Sequence, residues 1–226
     1  MVAGQAHHVI HVLRLLAGAP LTLFDGRGVE YPALIKRIDK SGLTLTVTGR
    51  HEVSRESPLE IVLAQGVSTG ERMDYTVQKC VELGVSAIQP LITQRSVVRL
   101  SSERAGRRVA HWQSVTAAAC EQCGRNQVPL VLPVQPLMKW LGEPAPSNSV
   151  RYLLSPHAGA TRLRDRGRPE GRVTLLVGPE GGWNAEETQA ALTAGFTPLA
   201  LGPRVLRTET AAVAALAAMQ ALWGDC

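Results

Sequence analysis

Apolar positions fall into two textures along the chain, and the change comes near Gly66. Before it, short runs mix apolar and polar residues: Leu21-Thr22-Leu23-Phe24-Asp25, then Val29-Glu30-Tyr31-Pro32-Ala33-Leu34-Ile35 beyond Gly26-Arg27-Gly28. Leu43-Thr44-Leu45-Thr46-Val47-Thr48 alternates in strict period two, the signature of a half-buried strand. The glycine turn between the first two runs predicts a hairpin. Leu59-Glu60-Ile61-Val62-Leu63-Ala64 is expected as a fourth strand of the same unit. Short strands at close spacing indicate a small β-barrel or sandwich. Ahead of them, a helix is expected from His7 to Leu16, with Val9, Val12, Leu13 and Leu16 on one face.

After Gly66 the period alternates between helix and strand. Gly70 to Leu83 places Met73, Val77, Cys80 and Val81 at helical spacing, and Val85 to Leu91 reads as a strand. A long amphipathic helix is expected from Ser102 to Gly124, through Val109, Trp112 and Ala119. Short strands follow at Leu130-Val131-Leu132 and Arg151-Tyr152-Leu153-Leu154, while Pro144 to Asn148 and Arg162 to Arg172 read as loops. Strands alternating with helices imply a mainly parallel sheet covered on both faces. The expected division is therefore a β-domain over residues 1–66 and an α/β domain over residues 67–226.

Two segments near the end interrupt apolar runs with Gly/Pro turns. They are Val173-Thr174-Leu175-Leu176-Val177-Gly178-Pro179-Glu180-Gly181-Gly182-Trp183-Asn184 and Leu199-Ala200-Leu201-Gly202-Pro203-Arg204-Val205-Leu206-Arg207-Thr208-Glu209-Thr210. Each reads as a buried strand that turns into a helix, and such turns at the carboxyl ends of parallel strands are where α/β proteins build ligand sites. The triple-glycine loop lets a ligand approach the backbone closely. Asn184 and Glu187 complete a capping-box pattern behind it, and Thr208 or Thr210 can cap the final helix. The loop lacks the Lys-Ser/Thr of a P-loop and the GxGxxG of a dinucleotide fold, and Glu180 would repel a phosphate. A neutral or cationic ligand held by backbone groups fits better. The final helix, from Ala211 to Met219, is apolar almost all round and needs cover on both sides, from the sheet and from another subunit.

Charge and cysteines add less. Lys and Arg outnumber Asp and Glu by 24 to 19, a mild excess that suits a polyanionic partner. Arg104, Arg107 and Arg108 read as a solvated helix face. Of the four cysteines, Cys120 and Cys123 have CxxC spacing within a helix-forming stretch but no second pair. Neither a disulfide nor a metal site is expected. No apolar run is long enough to span a membrane, and the start has no basic-then-apolar leader, so a cytoplasmic protein is expected.

Several motifs together resemble one family. They are His7-His8 with Val12-Leu13-Arg14, Leu23-Phe24-Asp25-Gly26, Gln78-Lys79 with Glu82-Leu83-Gly84-Val85, Gln94-Arg95-Ser96-Val97-Val98 and Glu121-Gln122-Cys123-Gly124-Arg125, followed by the two Gly/Pro segments. The chain resembles the 16S ribosomal RNA (uracil 1498-N3) methyltransferases of the SPOUT (α/β-knot) superfamily, over nearly its whole length and in the expected order. One departure is that only six residues precede His7, where the family usually has an opening strand and linker, so the expectation is either a truncated start or a barrel short of a strand.

The resemblance implies an α/β protein with an N-terminal PUA-like β-barrel and a C-terminal mainly parallel domain carrying a deep trefoil knot. It implies S-adenosylmethionine as cofactor, 16S rRNA or the small ribosomal subunit as partner, and a homodimer through the knot domain, with no metal and no membrane. Cofactor-binding residues would be Leu154, Val177, Gly178, Pro179, Gly181, Gly182, Leu201, Gly202, Leu206, Thr208, Thr210 and Ala211. Arg14, Arg95, Arg99 and Arg125 would contact RNA, with His7 and His8 also placed there or buried as a pair, and His157 would border the cofactor or stand exposed. For catalysis, N3 of uridine must lose its proton, which calls for a proton acceptor or a cation beside the developing anion. Arg207, with Arg125 and Arg95, is a candidate for the stabilising cation or for holding phosphate. Glu209 and Glu180 are candidates for the base or for positioning, and the residues alone leave open which of the carboxylates merely shape their loops. Alternatives within the same fold are methylation of a ribose 2′-hydroxyl or another RNA base, and a non-catalytic RNA-binding assembly protein.

Overall fold

A computed structural model describes residues 8–39, 42–96, 102–155 and 160–226. His7, Arg99 and His157, singled out above, lie outside the described residues, as does the side chain of His8.

Two units make up the chain, residues 1–55 with 124–128, and residues 56–123 with 129–226. In the first, β1 (Pro20–Phe24) and β2 (Val29–Asp39) form the expected hairpin, with Leu23 opposite Tyr31. The Asp25 carboxylate closes its turn by accepting from the N–H groups of Arg27 (2.7 Å) and Val29 (3.2 Å). β3 (Gly42–Val47) and the short β4 (His51–Glu52) pair antiparallel with β2. Ala33 and Ile35 are buried while Leu34 and Lys36 are exposed, the period-two alternation of a one-sided sheet.

Residues 124–128 return to this unit from far along the chain. Gly28 N–H donates to the Asn126 carbonyl (3.1 Å) and Val128 N–H to that of Gly26 (3.0 Å). The Asn126 side chain, 1% exposed, donates to Glu30 Oε1 (3.0 Å) and to the Val53 carbonyl (2.7 Å). The expected helix over His7–Leu16 is reduced to one π-turn at His8–Val12. Val12, Leu13 and Leu16 are 60%, 53% and 74% exposed, so the apolar face inferred from their spacing is not buried.

The second unit is built on a parallel sheet. Its strands are β5 (Ile61–Gly66), β6 (Ala87–Ile92), β7 (Leu130–Val131), β8 (Gln135–Pro136), β9 (Ser149–Leu154), β10 (Thr161–Arg162), β11 (Arg172–Val177) and β12 (Thr197–Ala200). They lie in the order β10-β12-β9-β11-β5-β6-β7, with β8 also on β6. The 1–66 boundary is therefore wrong. β5 runs parallel between β6 and β11, with Val173 beside Ile61 and Val62 beside Ala87. Its residues are buried on both faces, as central parallel strands require.

Among the described residues, the helices of this unit are α1 (Gly70–Glu82), α2 (Ser102–Cys123), α3 (Leu137–Leu141), α4 (Ala185–Thr193) and α5 (Thr208–Trp223). Ala64, Leu91, Leu153 and Leu176 cluster with Leu137, Leu141, Ala191 and Phe196 from the α3 and α4 side. α1 packs against both α2 and α5, and α5 against β11. The last strand, β12, enters between β9 and β10, both laid down earlier. No helix among the described residues is long and apolar enough to cross a membrane.

Candidate active site

The carboxyl ends of the adjacent strands β12, β9 and β11 open into a cavity of about 570 Å³. That volume is in the range of small-molecule sites. Leu154 and Ser155 line it from the end of β9, and Val177, Gly178, Pro179, Glu180, Gly182 and Trp183 from the loop after β11. Leu199, Leu201, Gly202, Arg204, Val205, Leu206 and Arg207 come from β12 and its loop, and Thr208, Glu209 and Ala211 from the first turn of α5. Arg72 of α1 and Arg95, beyond β6, complete the lining. Gly202 turns the second loop at φ +126°, a region that L side chains rarely adopt.

A buried amide ties the strand ends together. Gln65, fully buried at the end of β5, donates through Nε2 to Thr208 Oγ1 (2.9 Å), to the Gly66 carbonyl (2.9 Å) and, at 3.4 Å, to that of Gly178. Thr208 Oγ1 in turn donates to the Gly178 carbonyl (2.5 Å). The two loops and β5 are thus joined through one hydroxyl. Thr208 does not cap α5 with its side chain, and neither does Thr210: the N-cap is Arg207, without a side-chain bond. A Cβ at Gly66 would stand 2.6 Å from Pro179 N, so these strand ends touch backbone to backbone.

Glu180 is held from the side of α1. Its Oε1 accepts from the N–H (2.9 Å) and Oγ1 (2.9 Å) of Thr69, the residue preceding the helix, and from Arg72 at 3.4 Å. Burial pushes the carboxyl up, but the Thr69 bonds and the Arg72 charge outweigh it and hold it below the ordinary carboxylate value. A carboxylate so stabilised is a weak proton acceptor, and the geometry makes Glu180 a strap between the glycine loop and α1. Its Oε2, like Oε2 of Glu209, is buried without a hydrogen-bond partner among the described residues.

A second strap comes from residues 94–95. Asn184 and Glu187 form the expected capping box, with bonds of 2.7 and 3.1 Å. Glu187 Oε1 also accepts from Gln94 N–H (2.8 Å), and Asn184 Nδ2 donates to Gln94 Oε1 (2.7 Å). The Arg95 guanidinium donates to the Gly181 carbonyl (3.1 Å), while a Cβ on Gly181 would come within 2.8 Å of Arg95 Cβ. Trp183 Nε1 reaches the Leu154 carbonyl at 3.3 Å and closes the floor between β9 and β11.

Ten of the twelve residues expected around a cofactor line this one cavity, as do Arg207, Glu209 and Glu180. Gly181 and Thr210 do not; Gly181 lies under Arg95, and Thr210 is exposed on α5. Of the arginines expected to meet RNA, Arg95 is on the cavity rim and Arg14 is exposed. Arg125 is corrected: it is 6% exposed in the segment that returns to the β-unit, and is not presented as a surface contact. Sequence reasoning missed Gln65, Arg72, Ser155 and Trp183 as site residues. Trp183 directly follows the glycine loop and could have been found there, whereas Arg72 and Gln65 arrive only through the pairing of β5 with β11.

Strand-end loops around a backbone-rich cavity, on a parallel sheet joined to a small β-unit, define an α/β ligand-binding protein of two domains. The family profile described as an RNA methyltransferase domain matches residues 55–220, and the one described as an RNA methyltransferase PUA domain matches residues 3–48. A ribosomal RNA small subunit methyltransferase E from Buchnera aphidicola is 32% identical over 222 residues, covering 98% of this chain and 89% of its own. A Legionella pneumophila protein solved with the cofactor SAM bound superposes with a TM-score of 0.93 at 42% identity, over 100% of this chain and 92% of that one. The ribosomal RNA small subunit methyltransferase E of Neisseria gonorrhoeae, bound to S-adenosyl methionine, gives 0.91 and 44% over the same shares. The chain belongs to the ribosomal RNA small subunit methyltransferase E family. Its fold is the expected one, a PUA-like β-domain followed by a SPOUT-class α/β domain.

Proposed function

We propose that the protein transfers a methyl group from S-adenosylmethionine to N3 of a specific uridine in 16S rRNA. The observation that carries this reading is the cavity that gathers the ends of β9, β11 and β12 together with ten of the twelve residues the family resemblance implies for the cofactor. Its residues fit the cofactor. The apolar side chains of Leu154, Val177, Leu199, Leu201 and Leu206 suit a purine, the glycines leave the backbone open, and the unpartnered Glu180 and Glu209 oxygens suit a donor or a cation. When bound, the cofactor supplies an activated methyl, so no metal is required.

The chain's own residues then have three tasks. The Gln65–Thr208–Gly178 junction holds the loops in register, so that the reactants meet in line. Arg207 faces the anion that develops on the imide. Glu209, whose Oε2 has no hydrogen-bond partner among the described residues, accepts the N3 proton or orients the base. N3 lies on the Watson–Crick edge, so the uridine enters unpaired or flipped out, with Arg95 at the rim and Arg14 on the β-unit placed for phosphate. Val213, Ala214, Ala217 and Ala218 on α5 are only half-buried in the single chain, and a second copy covers them in a homodimer. The working environment is the cytoplasm, where the small subunit is.

Mass spectrometry of rRNA nucleosides from a deletion strain tests the reading. Loss of 3-methyluridine, restored by the wild-type gene, is expected. Persistence of 3-methyluridine with loss of a 2′-O-methylated nucleoside would move the assignment to ribose chemistry, and no change at all would favour a non-catalytic binding protein.

A further inference from the structure

α2 carries a charged surface that the cavity does not use. Arg104, Arg107, Arg108 and His111 stand at i, i+3, i+4 and i+7, the spacing that sets side chains on one helical face, and all four are exposed. Trp112, Thr116, Ala119 and Cys120 form the buried side of the same helix. Among the described residues neither Arg104 nor Arg108 is ion-paired, and Arg107 meets only Glu103, at 3.4 Å with both side chains at least 70% exposed. A pair that exposed is weak and readily exchanged.

Two features set this stripe apart from the solvated face that the sequence suggested. A solvated face mixes signs, yet Glu103 is the one carboxylate between Ser102 and Cys120. Arg104 also stands in the first turn of α2, where the helix dipole disfavours a cation. The stripe is braced on α1, the helix that also carries Arg72 of the cavity lining: His111 Nε2 lies 2.8 Å from Asp74 Oδ2. From Arg104 to His111 it extends about 10 Å along the helix.

We propose that this stripe grips successive phosphates of the RNA strand flanking the target nucleotide, as a second contact beside the cavity. The proposal rests on the rRNA-methyltransferase reading. The test measures affinity for small ribosomal subunits and for protein-free 16S rRNA as a function of salt, in wild type and in Arg104→Gln/Arg107→Gln/Arg108→Gln. Loss of three single-strand phosphate contacts lowers the log–log salt slope by about 2, so between 50 and 200 mM salt the wild type loses roughly 20-fold more affinity than the variant. The triple Lys variant keeps the wild-type slope, and S-adenosylmethionine affinity is the same in all three proteins. An unchanged slope in the Gln variant overturns the stripe while leaving the enzymatic reading intact. Weakened binding to subunits but not to free rRNA overturns it in favour of a ribosomal protein partner. A wild type that binds neither particle overturns the substrate reading, and the stripe with it.

Discussion

Replacing Thr208 by Val keeps the shape of the side chain and removes the hydroxyl that joins the two loops to β5. In the native protein that hydroxyl donates to the Gly178 carbonyl at 2.5 Å and accepts from Gln65 Nε2 at 2.9 Å, in a site where Thr208 is 7% exposed and Gln65 fully buried. Gln65 Nε2 retains the Gly66 carbonyl at 2.9 Å, so its loss is partial. The Gly178 carbonyl keeps only the long 3.4 Å contact from the same amide. One weakened and one nearly orphaned buried group together cost about 2–4 kcal/mol. For a chain of this size that corresponds to a fall in Tm of roughly 5–15 °C. Because the broken bonds fix Gly178 at the cavity wall, S-adenosylmethionine affinity falls as well, whereas Thr208→Ser, which keeps the hydroxyl, restores most of both. Differential scanning fluorimetry and titration calorimetry on the three proteins read this directly. A Val variant with native Tm and native affinity would refute the role given to the junction.

The other expectations are narrower. Gly181→Val places a branched side chain where a Cβ alone would already stand 2.8 Å from Arg95 Cβ and 3.1 Å from its carbonyl oxygen; overpacking of about 1–3 kcal/mol weakens cofactor binding by tenfold or so in calorimetry, and undiminished binding would separate that loop from the site. Glu180→Gln is expected to lower stability at neutral pH. Since the native carboxyl sits below its ordinary value of 4.5, its contribution is complete above that value and lost as pH falls through the depressed one. Urea denaturation should therefore show the two proteins converging in acid, and a gap that persists there would contradict the strap. Glu209→Gln is expected to cut kcat by about 10²–10⁴ with cofactor affinity retained; wild-type turnover would remove Glu209 from the chemistry. Ala214→Glu puts a charge on the half-buried face of α5, and sedimentation should report monomers.

Much of the site was legible because its signals are local. A glycine loop with its capping box, and a Gly/Pro turn leading into an apolar helix, are read from a dozen contiguous residues, and both lie where expected. The run Leu59 to Ala64 reads as a strand from its sequence, yet its place is in the parallel sheet and not in the β-unit. Its continuous apolar character from Ile61 to Ala64 already matched a strand buried on both faces, while sequence proximity argued for the β-unit next to it. Only pairing with β11, more than a hundred residues away, decides between them. The same long-range pairing delivers Gln65 to Thr208. Thr208 itself reads as a helix cap because that role is available from local chemistry, whereas its actual partners come from two distant strand ends. Arg125 shows the converse error: a cation after a helix reads as surface until the segment it belongs to folds back.

That return of residues 124–128 to the β-unit bears on how the protein is made. The first unit cannot be completed when residue 55 leaves the ribosome, because Glu30, Val53 and the Gly26–Gly28 turn still await Asn126 and Val128. The intervening stretch, Glu56 to Cys123, is 68 residues long. At about 5–20 residues per second, the nascent β-unit waits roughly 3–14 s for its last segment. During that interval β5, α1, β6 and α2 have already emerged. The domain synthesised first is thus closed by a clasp delivered at the end of a helix belonging to the second, and a fragment cut after residue 66 would lack it altogether.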